Sequence, residues 1–226
     1  SANVLFPWSI CAMMQKFLIC FINSKTNVGK DKFSNRLFSE NLPPQVDDAI
    51  PYFCTMQFDT KVGTDIDEAA FWLKKGEVVG IPTETVYGLA ANGLHADAVA
   101  KIYDIKNRPS FNPLILHVAN ENALQDLVVN NKIAQDFMHS FMPGPLTLVL
   151  PRKAIVPDIT TAGLDTVGVR MPNHELTQSL LQKLDFPLAA PSANPSGYVS
   201  PTKAEHVAEN LSGKIPYVLD GGACIV

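Results

Sequence analysis

Positive charge is scarce in this chain. Its 18 lysines and arginines stand against 22 aspartates and glutamates, for a net charge of −4. That balance argues against a broadly basic nucleic-acid surface and leaves room for a local basic pocket. Cysteines are few: Cys11, Cys20, Cys54 and Cys224 form no C-x-x-C. A reducing, cytoplasmic setting is therefore expected rather than a disulfide framework. None of the five histidines (His95, His117, His139, His174, His206) belongs to an H-x-H or H-E-x-x-H, so no protein-bound metal is expected. G-x-S-x-G is missing, which removes the nucleophile elbow. Val28-Gly29-Lys30 lacks the upstream glycine of a P-loop. The apolar stretch from Val4 to Ile22 is interrupted by Pro7, Gln15 and Lys16, too often for a membrane helix. It also lacks the basic n-region and small-residue cleavage site of a signal peptide. No membrane partner is expected, and there is no internal repeat or low-complexity tract.

What is present suits one good-sized domain. The chain has 226 residues, 46% hydrophobic and 18% charged, enough to bury a real core. Residues 1–55 differ from the rest. The apolar stretch gives way to polar sequence with weak periodicity, such as Asn23-Ser24-Lys25-Thr26-Asn27 and Asn41-Leu42-Pro43-Pro44. This segment reads as poorly defined, either foreign to the domain or disordered, with Met56 as the natural start of the folded unit 56–226. From there the pattern is regular. A helix capped near Thr64-Asp65 carries Ile66, Ala69, Ala70 and Leu73 and stops at Gly76. A strand over 77–82, the polar turn from Pro82 to Leu89 and a helix pattern through Ala96, Val99, Ala100 and Tyr103 follow. Further strands are expected at 114–118, 146–150, 166–171, 186–190 and 216–219. Helices are expected near 121–129, 132–141, 174–184 and 202–212. Alternating elements with short apolar strands predict an α/β fold with a mostly buried sheet. The final run, Gly221-Gly222-Ala223-Cys224-Ile225-Val226, reads as a strand cut short, hence a domain incomplete at its C-terminus.

Four segments could carry chemistry. Thr83-Glu84-Thr85-Val86-Tyr87-Gly88 follows a strand, the place where open α/β sheets seat ligands, though taken alone it reads first as an ordinary capped helix entry. Lys106-Asn107-Arg108 sets two cations beside a strand. They could grip a polyanion, Lys as a point charge and Arg as a planar fork, or simply cap a helix C-terminus. In Pro191-Ser192-Ala193-Asn194, alternate residues of an extended segment face one way, so Ser192 and Asn194 could meet one ligand. The same residues also make ordinary turns. Arg170 ends an apolar strand and suits a carboxylate or phosphate, or a plain surface position.

Taken in order, T-E-T-V-Y-G-L, K-x-R-P-x-x-N-P-L-I-x-H-V, P-G-P-L-T-L-V-L, T-A-G-L-x-T-V-x-V-R-M-P and P-S-A-N-x-S-G closely resemble the YrdC family of L-threonylcarbamoyl-adenylate synthases. The resemblance spans about Met56 to Val226. It implies a twisted mixed α/β sheet flanked by helices around a large concave, electropositive cavity. The implied activity makes L-threonylcarbamoyl-AMP and pyrophosphate from L-threonine, bicarbonate and ATP. The product feeds N6-threonylcarbamoylation of adenosine 37 in tRNA through a threonylcarbamoyl transferase complex. By resemblance, Lys106, Arg108, Asn112, Thr166, Ser192, Asn194 and Thr202 meet ATP. Thr85, Tyr87, His117 and Arg170 line the threonine pocket. Mg2+ is expected to arrive with ATP, and no side chain is assigned as acid, base or nucleophile. Asn107 stands where the family commonly has glycine, and the family's G-x-E-S-T continuation is missing from the end. Two other readings remain: a carbamoyl-adenylate-forming domain of the hydrogenase-maturation type, and an RNA-binding module of the same fold.

Overall fold

The computed structural model describes residues 19–21 and 58–224, which form nine strands and seven helices. In chain order these are β1 (Ile19–Phe21), β2 (Lys61–Gly63), α1 (Ile66–Lys74), β3 (Val79–Ile81), β4 (Gly88–Asn92), α2 (Ala96–Lys106), β5 (Ile115–His117), α3 (Glu121–Leu127), α4 (Lys132–Phe141), β6 (Thr147–Pro151), α5 (Asp158–Thr161), β7 (Thr166–Arg170), α6 (Glu175–Gln182), β8 (Leu188–Ala189), α7 (Ala204–Leu211) and β9 (Tyr217–Leu219). The strands make one mixed sheet in the order β1-β6-β7-β5-β8-β4-β3-β9-β2. β1 pairs in parallel with β6, a contribution from within 1–55. The remaining expectations for that segment lie outside the described residues.

Short strands with apolar residues on both faces explain why helices cover the sheet on both sides. Along β9, Tyr217 and Leu219 point into a cluster with Leu73, Val79, Ile81, Leu180 and Leu188. Val218 between them joins the opposite cluster with Leu89, Ile102, Leu116, Leu148, Val169 and Val207. α1 and α6 supply the first cluster, and α2, α3, α4 and α7 the second. Each buried leucine contributes roughly 1.5–3 kcal/mol. The helix ends follow local chemistry. The Asp65 carboxylate accepts from the amides of Asp67 (2.8 Å) and Glu68 (3.3 Å) to start α1. α2 ends on Asn107 at φ +49°, ψ +48°. That left-handed cap is a position for glycine or asparagine, so Asn107 meets the same backbone demand as the glycine it replaces.

Two expectations need correction, and one short element went unread. The T-E-T-V-Y-G turn opens a strand and not a helix: β3 and β4 form an antiparallel hairpin, with Val79 opposite Ala90 and Ile81 opposite Gly88. Leu89, Ala90 and Ala91 are all wholly buried, which a surface helix with one polar face could not achieve. The short helix α5 after Pro157 had too few residues to show a period. Residues 220–224 are not strand; among the described residues the sheet stops at Leu219, and the chain continues past the hairpin turn.

Candidate active site

Thr83 organises the hairpin turn. Its hydroxyl donates to the Val86 carbonyl (2.6 Å) and accepts from the amides of Thr85 and Val86 (3.2 Å each). A hydroxyl bonded to its own backbone in this way replaces helix or ladder bonds. Glu84 and Thr85 are then in reach of Arg170, the last residue of β7. Arg170 Nη2 donates to Glu84 Oε1 (2.7 Å) and to Thr85 Oγ1 (3.3 Å). The arginine is 4% exposed, so the pair sits where charge–charge attraction is poorly screened. His117 lies opposite Arg170 in the neighbouring parallel strand. Burial, and after it the Arg170 guanidinium, pushes its imidazole down to about 3. It is therefore a neutral hydrogen-bonding group near neutrality.

Three of the four residues expected to meet threonine thus gather: Thr85, His117 and Arg170. Tyr87 behaves differently. It is wholly buried, donates to the Gly222 carbonyl (2.7 Å), accepts from the Gly221 amide (3.1 Å) and lies 3.3 Å from Asp220 Oδ1. Burial raises its phenol further, so it stays neutral. Tyr87 fastens the chain beyond β9 beside the turn. Gly221 is needed there, since a Cβ would come within 2.6 Å of His174 and 2.7 Å of Pro82.

The second group is built on Lys106, the last residue of α2. It is 2% exposed, and its ammonium donates to the backbone carbonyls of Ser192 and Asn194. The Ser196 amide donates back to the Lys106 carbonyl (2.9 Å), and Asn194 Nδ2 donates to the carbonyls of Pro195 (2.9 Å) and Tyr198 (2.6 Å). The K-x-R and S-x-N elements are therefore interlocked. Burial, and then the Arg108 charge, brings the Lys106 amine down to about 7. Half-buried Arg108 donates from Nε to the carbonyl of Asn112 (3.2 Å) and from Nη2 to that of Pro113 (3.1 Å). Asn112 itself contributes only a carbonyl to these bonds, one that also accepts from Tyr103 (2.9 Å). The Thr202 carbonyl accepts from the Cys224 amide (2.8 Å). Thr166 begins β7, so it stands four residues, about 13 Å, along the strand from Arg170. Extending the β5–β7 and β5–β8 registers brings Thr166 level with Pro113 and Ser192. β4 joins the two groups: Gly88 bridges Ser192, and the Ala193 amide donates to the Tyr87 carbonyl (2.8 Å).

Buried polar atoms that lack a partner among the described residues concentrate in these two groups. Near Arg170 they are Glu84 Oε2, His117 Nδ1 and His174 Nδ1; near Lys106 they are Asn194 Oδ1 and Ser196 Oγ. Such an atom costs about 1–3 kcal/mol unless a ligand or water satisfies it. Two surface hollows, of about 400 and 650 Å³, lie elsewhere, one beside Arg152 and Asp158 and one beside Lys183 and Phe186. Neither is the concave cavity that the resemblance implies. Sequence reading left Glu84 out of the site; the signal available was an acid between two threonines in the turn after a buried strand. His174, close to Glu84 and Gly221, carried no such signal. Among the described residues, no three His, Cys, Asp or Glu side chains are grouped to hold a metal ion, and no helix is long and apolar enough to cross a membrane.

Residues 72–226 match the Sua5/YciO/YrdC family, whose description reads "Telomere recombination". The threonylcarbamoyl-AMP synthase of Bacillus subtilis is 53% identical over 160 residues, which cover 70% of this chain and 46% of that protein. The synthase of the same name from Pyrococcus abyssi is 50% identical over 155 residues, 68% of this chain and 46% of that one. The crystal structure of P. abyssi Sua5 complexed with L-threonine superposes with a TM-score of 0.69 at 46% identity, covering 74% of this chain and 50% of that one. The chain thus spans about half the length of the curated relatives it matches.

Proposed function

This chain belongs to the Sua5/YciO/YrdC family, and from that premise we propose that it makes L-threonylcarbamoyl-AMP and pyrophosphate from L-threonine, bicarbonate and ATP. The observation that carries the reading is the buried Arg170, held at a strand end beside Glu84, Thr85 and a neutral His117. A fixed guanidinium suits a carboxylate, and a hydroxyl with an uncharged imidazole suits a β-hydroxyl. The Sua5 structure solved with L-threonine supports the choice of amino acid.

Nucleotide contacts fall on the other group. Lys106 and Arg108 face the phosphates, and Asn112, Ser192, Asn194, Thr202 and Thr166 take the rest of ATP, which arrives with Mg2+. The amine and CO2 give a carbamate, a carbamate oxygen attacks the α-phosphorus, and pyrophosphate leaves. Such a step needs alignment and charge neutralisation more than a covalent nucleophile. The product would pass to a transferase complex that modifies tRNA adenosine 37.

The test is ATP–pyrophosphate exchange with the full-length protein. Exchange that needs both L-threonine and bicarbonate supports the reading. Exchange that needs carbamoyl phosphate would replace it with the carbamoyl-adenylate chemistry. RNA binding with no turnover would make the chain a binding module.

A further inference from the structure

We propose that Glu84 receives the substrate's ammonium and takes its proton, releasing the amine that attacks carbon dioxide. This rests on the reading that the site forms a carbamate of an α-amino acid.

The Glu84 carboxylate is divided between two tasks. Oε1 accepts from Arg170 at 2.7 Å, while Oε2 is buried and lacks a partner among the described residues. The side chain is 18% exposed, deep enough to be held beside Arg170. Arg170 and Glu84 present a cation and an anion side by side, the complement of an amino-acid zwitterion. The substrate carboxylate meets Arg170, and its ammonium meets the uncommitted Glu84 oxygen.

An ammonium has no lone pair and cannot attack carbon dioxide, so some group must accept its proton. The other titratable groups around the turn are poorly suited. On β5, burial and Arg170 oppose protonation of His117. Before α6, burial lowers His174, which is also engaged with the Gly221 backbone. Beyond β9, Asp220 accepts from the Gly222 amide (2.9 Å) and neighbours the Tyr87 hydroxyl. Burial raises both Tyr87 and Cys224, so each keeps its own proton near neutrality. Glu84 carries the uncommitted anionic oxygen. Glu84 takes one N–H proton, and the freed nitrogen pair bonds to the carbon of CO2 as one C–O π bond opens. The second N–H proton goes to water, leaving the carbamate anion, and Glu84 returns its proton to solvent.

Glu84→Gln in the full-length protein keeps the shape and an oxygen for Arg170 but not the basicity. Synthesis from L-threonine should fall on the order of a hundredfold. The residual rate should rise roughly tenfold per pH unit between about 6 and 8, following the free amine in solution. The reverse adenylyl step, ATP formation from synthetic threonylcarbamoyl-AMP and pyrophosphate, needs no amine deprotonation and should fall much less than synthesis. Equal loss in both directions, or no loss in synthesis, overturns the role of Glu84 and leaves the carbamate reading standing. If Glu84→Gln does not fold, Glu84→Asp decides the matter: the shorter carboxylate should slow synthesis more than reversal, and equal slowing overturns the proposal. If wild type makes no threonine-dependent product, the underlying reading fails. Glu84 is then tested by calorimetry alone. Wild type should bind L-threonine over 3-hydroxybutyrate, which lacks the amine, and Glu84→Gln should lose that preference; retained preference overturns the role.

Discussion

The two polar groups of this site differ in what their charges already hold. Around Arg170, side chain faces side chain: Glu84, Thr85 and His117 converge, and Glu84 Oε2 and His117 Nδ1 lack partners among the described residues. Around Lys106, the cation is spent on backbone: its ammonium holds the Ser192 and Asn194 carbonyls, while Arg108 holds those of Asn112 and Pro113. On the proposed reading, the first group would take a small zwitterion with little rearrangement. The second would have to exchange carbonyls for phosphate oxygens before it gripped a nucleotide. Preorganisation is therefore unequal across one site, and amino-acid binding should cost less reordering than nucleotide binding.

The sharpest way to break this contrast is Arg170→Met. It strands the part-buried Glu84 carboxylate without its guanidinium, and losing one member of such a pair costs about 3–5 kcal/mol. Denaturant unfolding should show that loss, and L-threonine binding should vanish. Adding Glu84→Gln to the same chain should recover part of the stability, since the stranded charge is then gone. A full loss that Glu84→Gln does not relieve would mean that Arg170 acts mainly through other contacts.

How far the sequence announced these two groups follows from the range of the interactions. α1 was legible because its signals are local: an Asp65 cap, a 3.6-residue apolar period and Gly76 at φ +76°. β4 was not, because nothing within Gly88–Asn92 marks a strand; pairing with β3 and β8 decides it. Among the residues named by resemblance, the motifs single out Arg170 and Lys106 but not what each holds. The Lys106 partners lie 86 and 88 residues away and are carbonyls, which carry no residue-specific signal. Tyr87 was placed in the threonine pocket by resemblance, yet its hydroxyl is occupied by residues 220–222, contacts visible only once β9 is placed beside β3.

Lys106→Met comes next in size. It removes a charge-assisted phosphate contact of roughly 1.5–3 kcal/mol, so ATP affinity should drop by about tenfold to a hundredfold while L-threonine affinity holds. Equal loss of both ligands by calorimetry would merge the two groups into one. Thr85→Val is smaller. It deletes one neutral hydroxyl, and threonine should bind more weakly by about 0.5–1.5 kcal/mol with ATP unaffected. An unchanged threonine affinity would remove Thr85 from the pocket.

The smallest effect separates the groups by protons rather than affinity. The Lys106 amine sits near 7 in the ligand-free protein against an ordinary 10.5, chiefly through burial. Between those values the unfolded chain binds more protons than the folded one, so the lysine's contribution to ligand-free stability rises with pH from about 7 to 10.5. A triphosphate reverses the preference by favouring the ammonium. Nucleotide binding at pH 8 should therefore take up as much as about one proton, and its affinity should fall as pH climbs above 7. Below pH 6 the amine is already charged, and the uptake should fade. Titrations in two buffers of different ionisation enthalpy read the proton directly, and Lys106→Met should abolish it. Binding of ATP at pH 8 with no proton uptake would mean that Lys106 keeps its carbonyls in the complex, and the exchange that distinguishes the second group from the first would not occur.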